Sequence, residues 1–175
     1  MDEMFPIVDE NGNITGAATR KECHSGSKLL HPVVHLHILN EQRDALYLQK
    51  RSPLKDIQPG KWDTAVGGHV DLGENIHMAL HRETREELGL IDFTPKHIVS
   101  SVWESEIERE LVNTFSTIVN PENTSFVIDE NEISEGRFWT MSEINENIGK
   151  GIFTPNFEQE FKRIEPLLNK DDNEQ

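Results

Sequence analysis

A mixed α/β fold, of the α+β kind, is predicted for this 175-residue chain from three observations. Val34, Leu36 and Ile38 alternate with Val33, His35 and His37, a period of two that suits a strand. Ile76, Leu80, Thr84 and Leu88 recur every fourth residue, the stripe of an amphipathic helix. Strand-like and helix-like segments then mix without strict alternation, which fits a mixed sheet packed by helices. The length suits one domain, and 1–175 is read as one, without repeats, low-complexity blocks or a linker.

In chain order, residues 5–20 read as two short strands around an Asn11-Gly12 turn, an N-terminal hairpin. Residues 31–51 look like a second hairpin turning at 40–44. Pro53, Pro59 and Gly60 punctuate a loop, and 63–68 read as a short strand running into a glycine turn. A helix over 75–88 ends at Gly89, where the left-handed conformation favours glycine. Two paired strands follow, within 97–106 and 111–120, and a third within 135–141. Two helices close the chain, with Ser142 and Thr154 as expected N-caps and Pro155 at a first helical position. Residues 170–175 are a polar tail.

The formal net charge of −15 repels phosphate backbones and argues against duplex nucleic acid as a partner. A phosphate-ester substrate would need a bound cation to screen it. No apolar run approaches the roughly 18 residues of a membrane span. The acidic start lacks the pattern of a secretion signal, and Cys23 is the only cysteine, so a cytoplasmic protein without internal disulfides is expected. Either a monomer or a homodimer is compatible with the sequence.

The helix over 75–88 places Glu83, Glu86 and Glu87 on neighbouring positions of one face. Like charges so arranged destabilise an isolated helix, and a solvated face softened by Arg82 and Arg85 is the plain reading. Hard divalent cations such as Mg²⁺ or Mn²⁺ prefer oxygen ligands and would turn the repulsion into attraction. Gly67 and Gly68 precede the helix where backbone can approach a ligand, and Arg82 lies four residues before Glu86.

These residues resemble the Nudix box, G-x5-E-x7-R-E-U-x-E-E-x-G-U. Gly68, Glu74, Arg82, Glu83, Glu86, Glu87 and Gly89 fill every fixed position within 68–90, and Thr84 is the one soft departure. The resemblance extends from about Ile7 to Leu167. It implies an α/β/α sandwich with a mixed sheet, the box forming loop–helix–loop. It further implies Mg²⁺ or Mn²⁺ held by Glu86 and Glu87, with Glu83 as ligand or base and the Gly68 carbonyl joining them. Arg82 would orient a glutamate, and Glu74 would support the loop. The implied reaction is hydrolysis of a small diphosphate compound, in which metal charge neutralises the diphosphate and acidifies a water. Glu132 lies in a loop that supplies a general base in some members.

Other segments resemble isopentenyl-diphosphate isomerase, a relative that shifts a double bond without cleaving the diphosphate. His24, His31, His69, Glu108 and Glu110 match its metal-ligand types, which implies a second site for Zn²⁺ or Mn²⁺. Gly67 stands where the isomerase carries its cysteine, and Asn156 where it carries tryptophan. Glycine has no side chain to move a proton, so the isomerase chemistry fails as written. A pyrophosphohydrolase of an isomerase-like subtype is therefore expected, with isomerase-like activity and a non-enzymatic ligand sensor as alternatives. Arg51, Lys55 and Trp62 are candidate substrate-binding residues. Trp62, Trp103, Phe115 and Trp139 suit either a pocket or the core. His35 and His37 are expected on the opposite face of their strand from the core residues, with contact to substrate as the lesser alternative, while His77, His81 and His97 read as surface or packing groups.

Overall fold

The computed structural model describes residues 2–169, so the expected tail at 170–175 lies outside the described residues. Strands β1 (Met4–Val8) and β2 (Ile14–Thr19) form the N-terminal hairpin, antiparallel to each other. A single turn of helix, α1 (Arg20–Cys23), follows directly. The sequence reading passed over it, although Thr19 and Glu22 spell a capping box and both of its reciprocal bonds are made.

A seven-stranded mixed sheet forms the centre. β3 (Leu30–Leu39) runs parallel to β8 (Arg109–Ile118) along its full length, from Leu30↔Arg109 to Leu39↔Ile118. β7 (Lys96–Glu104) extends the sheet antiparallel to β8. On its other edge β3 takes β6 (Val66–His69), which pairs Val33↔His69 through Leu36↔Val66. β4 (Ala45–Arg51) pairs with β9 (Ile133–Thr140) and with β5 (Trp62–Thr64).

Two sequence expectations need correction here. The 31–51 segment is not a regular hairpin: β3 and β4 share only the pair Leu39↔Leu46. The two strands splay because β6 occupies the remaining edge of β3 while β9 and β5 occupy β4. Gly67 and Gly68 are not in a turn but inside β6, paired with His35 and Val34. Strand geometry therefore points their missing side chains to opposite faces.

Helix α2 (Ile76–Leu88) packs on one face of the sheet, and α3 (Met141–Asn147) and α4 (Pro155–Leu168) pack on the other. Alternation in β3 and β4 divides the core. Val34, Leu36, Ile38 and Tyr47 join Ala79, Leu80 and Leu88 of α2. Leu39, Leu46 and Leu48 join Phe157, Phe161 and Ile164 of α4. Helix α3 is capped by Thr140 in a capping box with Glu143, so Ser142 lies inside the helix; a capping box outcompetes a lone serine. Thr154 caps α4 as expected, with Pro155 in its first turn.

Phe161 is 1% exposed among the aromatics that fix α4 to the sheet. Phe161→Ala is expected to cost about 3–5 kcal/mol of unfolding free energy. Urea denaturation checks it; a loss below 1 kcal/mol would show that α4 is not anchored by this face.

Candidate active site

Helix α2 begins where the Asn75 side chain accepts a hydrogen bond from Met78 N–H, at 2.8 Å, and ends at Gly89 in the left-handed conformation. Its polar face is organised by one guanidinium. Arg82 donates from Nε and Nη2 to both oxygens of Glu74, at 2.8 and 2.9 Å. Its Nη1 donates to Glu83 at 2.8 Å and to Glu86 at 3.3 Å, and Nη2 also reaches the His69 carbonyl at 3.1 Å. Glu74 in turn accepts from Asp71 N–H at 2.9 Å, closing the loop in front of the helix. The hydrogen bonds from Arg82 pull the Glu74 carboxyl below its usual range, and Glu74 foremost raises the Arg82 guanidinium.

Gly68 is the close approach that this arrangement requires. A Cβ built at Gly68 would lie 2.2 Å from the carboxyl carbon of Glu83, so no other residue leaves that carboxyl where it is. Burial raises Glu83 despite Arg82. Glu87 points to the other glycine and accepts from Gly67 N–H at 3.2 Å. Burial, and then the neighbouring Glu83 charge, push Glu87 up to about 8. Among the described residues, Glu83, Glu86 and Glu87 do not converge into one tight cluster: Glu83 and Glu86 share Arg82 Nη1, while Glu87 turns to the Gly67 amide. As an all-oxygen donor set beside the Gly68 carbonyl, they suit a hard divalent cation.

A tighter cluster stands beside them. His24 at the end of α1, His31 in β3, His69 in β6 and Glu108 before β8 bring one ligand atom each within 4.8 Å of the others. His24 Nε2 lies 2.8 Å from a Glu108 oxygen, and His31 Nε2 lies 3.9 Å from the same atom. The Nε2 atoms of all three histidines are buried without an aligned hydrogen-bond partner. Phe5 of the hairpin stacks on His69, with centroids 4.6 Å apart and planes 4° apart, and also on His31. His31 Nδ1 lies 3.0 Å from the Leu29 carbonyl, which aims its Nε2 inward. Burial and the adjacent imidazoles pull His69 down to about 3, and burial lowers His31. Three converging imidazole nitrogens and a carboxylate are the donor set of a borderline cation, and burial keeps two of them, His31 and His69, in the neutral form that ligates. Glu110, placed beside His31 by the β3–β8 register, is pushed up to about 7 by burial and by Glu108. Its carboxylate stays 3.8 Å from His69 Nε2 and 3.9 Å from His31 Nε2, next to the four-residue cluster.

Both groups open on one cleft of about 1010 Å³ that Arg51 and Lys55 also line. Lys55 forms an ion pair with Glu132, which is thereby turned toward that lysine. Arg51 Nε donates to the Ile57 carbonyl at 3.0 Å. Trp62 does not line this cleft: it is 7% exposed and packs edge-on against Trp139 in the core. Phe115 and Trp139 are core as well, whereas Trp103 borders a small adjoining hollow.

One feature that the sequence reading did not assemble lies on the α4 side of β3. Glu160 of α4 takes His35 Nδ1 at 2.7 Å on one oxygen and His37 Nε2 on the other. Burial opposes charge on His35, but Glu160 outweighs it and raises the imidazole to about 9; the two histidines likewise lower Glu160 against its burial. The available signal was an acid set between Phe157, Phe161 and Ile164 on the apolar stripe of the last helix.

The family profile of the NUDIX domain matches residues 29–157. An uncharacterized Nudix hydrolase of Clostridium acetobutylicum is 29% identical over 98% of this chain and 89% of its own length. An isopentenyl-diphosphate Delta-isomerase of Aliivibrio fischeri is 26% identical over 85% of this chain and 86% of its own. A Deinococcus radiodurans crystal structure superposes with a TM-score of 0.74 at 23% identity, covering 92% of this chain and 98% of that one.

Two outcomes follow from the geometry. Gly68→Ala must displace Glu83 from Arg82, and calorimetry should find Mg²⁺ bound about ten- to a hundredfold more weakly; unchanged affinity would separate Glu83 from the metal. With its carboxyl pushed up to about 8, Glu87 would have to give up a proton in order to ligate Mg²⁺. Magnesium binding at pH 7 should then release about one proton, and the release should fade as pH rises past about 8. Titrations in buffers of different ionisation enthalpy read this directly, and Glu87→Gln should remove it.

Proposed function

The chain belongs to the NUDIX domain family, and from that premise we propose that it is a divalent-metal-dependent hydrolase of a small diphosphate compound, a nucleoside diphosphate derivative foremost. The observation that carries this reading is the Arg82 hub, which holds Glu74, Glu83 and Glu86 at the wall of a cleft large enough for a nucleotide-sized ligand. Glu83, Glu86, Glu87 and the Gly68 carbonyl would hold Mg²⁺ or Mn²⁺. His24, His31, His69 and Glu108, with Glu110 beside them, would hold a second ion such as Zn²⁺ or Mn²⁺. When bound, such ions neutralise diphosphate charge and acidify water.

The protein's own groups then have separate tasks. Arg82 fixes the direction of Glu83 and Glu86, while Glu74 fixes Arg82. Arg51 and Lys55 offer positive charge to the diphosphate across the cleft. In the reaction, water oxygen bonds to one phosphorus, the bridging P–O bond breaks, and the second phosphoryl group leaves with the bridging oxygen. The water proton passes to a cleft carboxylate, which is Glu83 where Glu86, Glu87 and the Gly68 carbonyl alone hold the metal. A Shewanella oneidensis NUDIX domain of this fold was crystallised with ADP ribose, which supports a ligand of this class.

Isomerase-like activity is the second reading, favoured by the histidine cluster. Gly67 weighs against it, since no side chain there can exchange a proton with substrate. A panel of sugar-nucleotides, dinucleotides and nucleoside triphosphates, with Mg²⁺ or Mn²⁺, tests both readings. Phosphate or nucleotide release is expected, falling by about a hundredfold or more in the Glu86→Gln/Glu87→Gln double variant. Unchanged turnover in that variant would sink the assignment. Deuterium exchange into isopentenyl diphosphate would move the assignment to the isomerase, and binding without product would make the protein a ligand sensor.

A further inference from the structure

Resting on that reading, we propose that His35 is a substrate-binding residue: its Nε2 donates to a phosphoryl oxygen of the bound diphosphate, aimed by Glu160 and given access by Gly67. No part of the acidic box or of the histidine cluster includes this residue.

The first support is the fixed aim of the ring. His35 Nδ1 lies 2.7 Å from one Glu160 oxygen, and the other oxygen is held by His37 Nε2. Glu160 is 8% exposed and sits between Phe157 and Phe161, so the carboxylate cannot swing away without unpacking α4. A carboxylate that accepts from Nδ1 leaves Nε2 as the one polar atom that His35 can offer elsewhere.

The second support is where that atom faces. His35 and Gly67 are direct partners in the β3–β6 register. A Cβ at Gly67 would lie 3.6 Å from His35 Nε2 and 3.4 Å from Cδ2. Any longer side chain at 67 would stand in front of the ring. With glycine there, His35 borders the main cleft and also a hollow of about 170 Å³ shared with Arg51, Asp63 and Asn156. The hollow's wall mixes the Asp63 and Glu87 carboxyls with apolar Ile133 and Phe157, so the phosphoryl group is assigned to the main cleft.

The third support is charge. The box helix and histidine cluster bring mostly carboxylates to the cleft, and His35 faces them with a cation whose counterion is committed on the far side. Divalent ions can hold only some of the oxygens of a diphosphate. A fixed imidazolium across the cleft supplies a donor for another, in a charge-assisted bond.

The experiment is calorimetric binding of methylenediphosphonate, a diphosphate that cannot be hydrolysed, to the full chain at saturating Mg²⁺. His35→Asn keeps an amide at the Nδ1 position, so Glu160 stays partnered, while Nε2 is lost. It should weaken binding roughly ten- to a hundredfold, the loss of one charge-assisted hydrogen bond. Gly67→Ala makes only ordinary contact with the ring, yet covers it, and should weaken binding several-fold. The double variant should bind no more weakly than His35→Asn alone, because both changes remove one contact; a residue that merely supported the fold would give additive losses and a lowered melting temperature. Wild-type affinity in His35→Asn, alongside lost affinity in Glu86→Gln, would overturn this proposal and leave the hydrolase reading standing. No binding by the wild-type protein would overturn both.

Discussion

The Arg82 guanidinium is the constraint on which the site depends. It engages Glu74, Glu83, Glu86 and the His69 carbonyl at once, so loop, helix and strand are tied through one side chain. A planar five-donor fork can satisfy such a set, whereas an ammonium offers a single point of charge and three donors. The acidic face of α2 is thereby stabilised before any cation arrives. Arg82 does not satisfy the whole face: Glu87 turns instead to a backbone amide and stays largely buried. Its raised proton affinity marks it as the carboxyl most in need of an outside positive charge.

The parallel pairing of β3 with β8 does for the histidine cluster what Arg82 does for the helix. It sets His31 beside Glu110, near the loop that carries Glu108, while β6 adds His69 on the other edge of β3. His24 arrives from the N-terminal hairpin and α1, whose Phe5 stacks on two of the imidazoles. Four segments distant in sequence thus meet at one point. Burial holds the lone pairs of His31 and His69 free of a proton.

Much of this was legible in the chain itself, for a physical reason in each case. The box is local: its seven positions fall within 68–90, on one strand end, one loop and one helix, so their spacing carried the resemblance that named Gly68, Arg82 and the glutamates. The helix ends were legible because Asn75 and Thr154 cap with their own side chains three residues on, while Gly89 and Pro155 act through their backbone angles. Strand pairing was not local. Nothing between 31 and 51 announces that β3 leaves β4 for β8 and β6, because that choice is made by segments 30 to 80 residues away. For the same reason Trp62, offered as a substrate contact, proved to be core. The Glu160 link to His35 and His37 spans more than 120 residues and was visible only as an acid on an apolar stripe.

The pair Gly67-Gly68 serves both faces of the sheet at once. Adjacent residues of a strand face opposite sides, so the two missing side chains make room on two faces for two different reasons. On the α2 face, the gap at Gly68 admits the Glu83 carboxyl, and a Cβ there would collide with it. On the α4 face, the gap at Gly67 uncovers an imidazole that Glu160 holds in place. One short strand thereby lets an acid press in from one side and a cation look out on the other. A cysteine at 67 would fill the second gap with a thiol. Glycine offers no proton-transfer group there and leaves the His35 ring uncovered from the next strand.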